Sequence, residues 1–190
     1  PSFPYGTILP VGTSVLVVTA TDASGNSSNC SVNVEVEDNI PTVVACLDAT
    51  VEFNGEDQLT VDVADLYDAA NTFDNCSAVT INAAPQTVTC DQLGDVIPVT
   101  IEGTDASGNV GSCLATITVA GLPCGWTNSD GINCDGNNDA SFDTASETFT
   151  VTSDGCSPPF PYTSDSQSFV YQELCGDGYI KALVTNVSGN

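Results

Sequence analysis

Between positions 27 and 36 the chain reads SSNCSVNVEV, with Cys30, Val32, Val34 and Val36 on one parity and Ser31, Asn33 and Glu35 on the other. A period of two is the mark of a strand buried on one face. The same alternation recurs with Cys113, Ala115, Ile117 and Val119 against Thr116 and Thr118, and the stretch before it alternates Ile97, Val99 and Ile101. Each cysteine-led segment follows the same hexapeptide, TDASGN, at 21–26 and again at 104–109. Gly25 and Gly108 can take positive φ there and the Asx side chains can bond nearby backbone, so the pattern predicts two β-hairpins. A calcium site on Asp22 or Asp105 is the sharper alternative, but an isolated hairpin supplies few of the 6–8 oxygens such an ion takes. Further on, Phe149 with Val151, Phe169 with Tyr171, and Ile180 with Ala182 and Val184 again favour strands over helices.

The two hairpins are one structural period apart. Asp22 and Asp105 are separated by 83 positions (105 − 22), as are Cys30 and Cys113 (113 − 30). A repeat of that length suits an immunoglobulin-like sandwich. The expected fold class is therefore all-β: tandem, disulfide-stapled immunoglobulin-like sandwiches followed by a partial β module.

Charge changes the functional picture more than the fold. Among 190 residues there are 25 Asp and Glu, one Lys or Arg and no His, for a formal net charge of -24. Phosphate neutralisation needs many cations, so nucleic acid and anionic membrane are repelled. Without His the commonest general base and metal ligand are missing, and nothing singles out a carboxyl pair for glycoside chemistry. The reading is that this is not an enzyme and requires no cofactor. Self-repulsion among the carboxylates predicts that acid or added cations stabilise the fold.

Nine cysteines at none of the usual zinc-ribbon or CxxC spacings read as disulfides made in an oxidising, extracellular compartment. The odd count means a free thiol, an intermolecular bond, or a partner outside these 190 residues. No stretch approaches a membrane span, and the termini PSFPYGTILP and VTNVSGN read as cut from something longer.

The segment LPVGTSVLVVTATDASGNSSNCSVNVEVED resembles the closing half of a hyalin repeat (HYR) domain, with its VGT lead-in, ATDASGN hairpin and cysteine-led last strand. Residues 39–120, from PTVVACLDATVEFNG through FDNCSAVTINAAPQTVTCDQLGDVIPVTIEGTDASGNVGSCLATITV, resemble a whole repeat of the variant found in tandem in large Bacteroidetes-type surface adhesins. The resemblance implies a closing half-repeat at 1–38, a complete sandwich at 39–120, and a spacer or adhesion role with no catalytic residue. It also implies a bond between Cys46 and Cys113, leaving Cys76 and Cys90 as a second pair. Cys30 then needs a partner in the first half of its own module, outside the sequence.

Composition shifts near residue 121. The segment DSQSFVYQELCGDGYIKALV resembles the first half of a concanavalin-like jelly roll, so 121–190 is expected to be half of such a module. Its acidic run offers Asp130, Asp135, Asn137, Asp139 and Asp143 as calcium ligands, the blander reading being a solvated loop pinned by a Cys124–Cys134 bond. Cys156 is expected to pair with Cys175 across the next section, and Thr144 in DTA resembles a Bacteroidetes O-glycosylation acceptor.

The expected role is a non-catalytic structural and adhesive segment of a secreted or cell-surface multi-repeat protein. Its partners are neighbouring repeats of the same chain, identical chains, or surface glycans. Two alternatives stay open: a subunit of an extracellular filament assembled by strand exchange, and a carbohydrate-binding accessory module.

Overall fold

The computed structural model describes residues 6–130, 139–152 and 168–173. Strands β1 (Gly12–Thr21) and β2 (Ser27–Val36) form an antiparallel hairpin and their own two-stranded sheet. Its turn is the first TDASGN. The Asp22 backbone N–H donates to the Asn26 carbonyl (2.9 Å), Asp22 Oδ1 accepts the N–H groups of Ser24 (2.9 Å) and Asn26 (2.8 Å), and Gly25 sits at φ 90°. Asx bonding and one left-handed glycine fix the register.

Six strands follow: β3 (Ala49–Phe53), β4 (Gln58–Val61), β5 (Thr80–Asn82), β6 (Gln86–Thr89), β7 (Val96–Thr104) and β8 (Val110–Gly121). One sheet has the order β3-β8-β7-β5, with β3 parallel to β8 and β5 antiparallel to β7; β4 and β6 pair antiparallel in a second sheet. A first strand parallel to the last is an immunoglobulin-like arrangement. The second TDASGN joins β7 to β8 and repeats the first turn, with Asp105 N–H donating to the Asn109 carbonyl (3.1 Å) and Gly108 at φ 91°.

By packing, the chain forms two compact units, Pro1–Asp48 with Val63–Ala84 and Pro98–Ala115, and Ala49–Asp62 with Pro85–Ile97 and Thr116–Asn190. The first unit buries Val44, Leu66, Val99, Ile101 and Ala115; the second buries Phe53, Val61, Val88, Ile117, Val119 and Leu122. In β7 and β8 the buried set has the predicted parity.

The second unit also holds β9 (Trp126–Asp130), β10 (Asp139–Asp143), β11 (Thr148–Thr152) and β12 (Ser168–Gln172), paired antiparallel as β9 with β12 and β10 with β11. Phe149 has ring centroids 4.7 Å from both Trp126 and Phe142, a cluster that gives these short sheets an apolar anchor. Ile180, Ala182 and Val184 lie outside the described residues. Among the described residues no helix is long and apolar enough to cross a membrane.

Two disulfides staple the fold. Cys46 is bonded to Cys113 (Cα–Cα 5.7 Å), and Cys90 is bonded to Cys124 (Cα–Cα 5.1 Å). The second bond corrects two expected pairings, Cys76–Cys90 and Cys124–Cys134. Cys90 opens a 3-10 turn, Cys90–Gln92, directly after β6 and is 6 % exposed, whereas Cys76 is an exposed thiol. The link therefore ties the end of β6 to the segment after β8. Cys134, Cys156 and Cys175 lie outside the described residues.

Candidate functional site

The β1–β2 hairpin presents an exposed apolar stripe. Its register sets Ser14 opposite Val34, Leu16 opposite Val32, Val18 opposite Cys30 and Ala20 opposite Ser28, all on one face. That face is an apolar stripe with a thiol in it. Val32 remains 50 % exposed, and Cys30 is a free, exposed cysteine. Cys113, one period later, stands on the corresponding strand of a four-stranded sheet and is bonded to Cys46. The same sequence pattern thus appears once closed and once open.

The acidic run does not assemble into one ion site among the described residues. Asp139 and Asp143 sit four residues apart on β10, about 13 Å at a strand's rise. Asp143 is also occupied by its own turn, accepting the Ala145 N–H (3.0 Å) and the Ser146 hydroxyl (2.6 Å). Asp130 ends β9, while Asp135 and Asn137 lie outside the described residues. Thr144 is exposed in the β10–β11 turn, so a glycan there meets no steric bar from burial. Cys90, Asp91 and Cys124 also lie close enough to hold an ion, but their two sulfurs are already joined to each other.

Several carboxylates are held below the usual range by hydrogen bonds. For Asp22 and Asp68 the largest cause is an asparagine amide, from Asn26 and Asn71 respectively; for Asp143 it is the Ser146 hydroxyl, and for Glu56 the Asn54 N–H. Burial pushes Asp105 upward, but the Asn109 amide and the N–H groups of Asn109, Ser107 and Gly108 together outweigh it. These groups bind protons more weakly folded than unfolded. Their stabilisation is therefore full above the unfolded value of about 3.9 and is lost as pH falls through the lower folded values. This contribution opposes the acid part of the self-repulsion argument, because native hydrogen bonds disfavour protonation. The Tm is expected to fall below about pH 4 in an acid series at fixed ionic strength; a Tm that climbs there contradicts the assignment.

What the site can do chemically is cover and be covered. Each resolved carboxyl shift among the described residues is downward, the opposite of a general acid poised near neutral pH. The fold defines an all-β protein stapled by disulfides. No protein-family model matches the chain, and no solved structure matches it. Sequence reasoning found the Cys30 face through parity alone. It missed the link from Cys90 to Cys124, which no local spacing signals.

Proposed function

We propose that this chain is a non-catalytic structural and adhesive segment of a long, secreted or surface-anchored protein built from tandem β-sandwich repeats. One observation carries the reading: the TDASGN hairpin is built twice with the same Asx bonds, and the two cysteine-led strands stand at equivalent positions. The apolar face of β1 and β2 is then the inner face of a module whose other strands come from a neighbouring segment, with Cys30 bonded to a cysteine there. Residues 121–190 form the first half of a jelly-roll-like module. The two disulfides support an oxidising, extracellular setting.

A second reading, an extracellular filament, rests on the same exposed face of a two-stranded sheet, which a neighbouring identical chain can complete. Negative-stain images of the native assembly separate the two. Flexible beads on a string support the repeat array; uniform helical fibres support the filament and overturn it.

A further inference from the structure

Three loops of the first compact unit meet at the second TDASGN turn. The connector after β2 brings Asp38, the FDNCS loop brings Asp74 and Cys76, and the turn itself brings Asp105. Asp38 and Asp105 are only 8 % and 7 % exposed. Burying carboxylates is unfavourable unless each is hydrogen-bonded or paired with a cation. Asp105 is satisfied within its turn, where Oδ1 accepts the N–H groups of Ser107 and Asn109 (2.8 Å each) and Oδ2 accepts the Asn109 amide (2.8 Å). Asp38 accepts the Ile40 N–H at 3.2 Å, the Ser107 hydroxyl at 3.5 Å and the Cys76 thiol.

Asp74 is the anomaly. Its Oδ2 accepts the N–H groups of Cys76 (2.8 Å) and Ser77 (2.9 Å), but its Oδ1 is shielded from solvent and accepts nothing. One carboxylate oxygen of Asp38, one of Asp74 and the Cys76 sulfur all lie within 4.8 Å of one another. A shielded, orphaned oxygen on half-buried Asp74, beside the buried carboxylate of Asp38, calls for a positive charge. The only basic side chain of the whole sequence is Lys181, and the described residues contain none. Among the described residues nothing supplies that charge, and a cation from solution can.

We propose that Asp38 and Asp74 hold a calcium ion. Their hard oxygens suit Ca²⁺, with water completing the 6–8 ligands. The Cys76 sulfur lies beside them but is a soft donor, unlike the hard oxygens that Ca²⁺ takes. A soft metal would instead recruit its sulfur as thiolate. The ion ties the connector after β2 to the loop and turn beside it. This goes beyond the structural reading above and holds for a repeat array or a filament alike. Asp22 provides an internal control, since it makes the same turn bonds as Asp105 but is exposed.

The test uses the full 190-residue protein, stripped with chelator and titrated with CaCl₂ to millimolar concentration against NaCl of equal ionic strength. The Tm is expected to rise saturably by about 3–8 °C. Asp74→Asn and Asp38→Asn should each abolish most of that rise, while Asp22→Asn and Cys76→Ser keep it. Asp74→Asn removes a charge without changing shape, so it reads the site even if Asp38→Asn fails to fold. Absence of any rise beyond the salt control overturns the site. So does a rise that survives Asp74→Asn but disappears in Asp135→Asn, or a response to Zn²⁺ alone that is lost in Cys76→Ser.

Discussion

Replacing Cys46 and Cys113 together by serine is expected to lower the unfolding free energy by about 4 kcal/mol, the largest loss available from any covalent change here. The bond closes a chain separation of 67 residues, so its absence releases a long loop to the denatured ensemble. Both cysteines belong to the first compact unit, whose buried apolar side chains among the described residues are Val44, Leu66, Val99, Ile101 and Ala115. A core that small leaves a covalent link a large share of the stability. Cys90–Cys124 spans 34 residues, and its double serine variant should lose roughly half a kcal/mol less by the same loop argument. Thermal melts of both variants, with and without reductant, check the order. If reductant leaves the wild-type Tm unchanged while the bonds are demonstrably broken, the staples are not what holds this fold.

Gly111→Ala is expected to destabilise by about 2–4 kcal/mol, far more than an alanine at a surface turn. The cause is space, not backbone angle. A Cβ at Gly111 falls on the Thr42 carbonyl oxygen and lies 2.8 Å from the Thr42 carbonyl carbon, so main chain would have to move. Thr42 is a buried hub: its hydroxyl donates to the Gly103 carbonyl (2.8 Å) and accepts the Gly111 N–H (2.9 Å). Displacing it breaks both bonds. Gly108→Ala is the control, because that glycine has positive φ but open space around it, and only about 1 kcal/mol is expected. Denaturant midpoints for the two variants give the comparison. Equal losses would mean that the approach of residue 42 to β8 is not tight.

Local pattern carried the hairpins and the core parity. In β8 the alternation from Cys113 to Val119 needs no knowledge of its neighbours, and Ala115, Ile117 and Val119 are buried as their parity requires. TDASGN was equally transparent, since an Asx turn is built from its own residues. What stayed hidden depends on contacts distant in sequence. Nothing near Cys90 announces Cys124, because a disulfide partner is chosen by where two strands end. The Asp38–Asp74 pair was invisible for the same reason. In a chain with 25 acidic residues, neither stands out until the fold buries one and orphans an oxygen of the other. The acidic run at 130–143 looked more like a calcium loop, yet strand geometry holds Asp139 and Asp143 apart.

If the β units are locked by disulfides and the open hairpin is closed by another segment, native material carries the corresponding linked peptides. Non-reducing peptide mapping of native material addresses this directly, using cleavage at Asp and Glu because Lys181 offers trypsin a single site. The predicted result is a Cys46–Cys113 linked peptide together with Cys30 joined to a cysteine outside these 190 residues. Recovery of Cys30, Cys46 and Cys113 all as free thiols would contradict it.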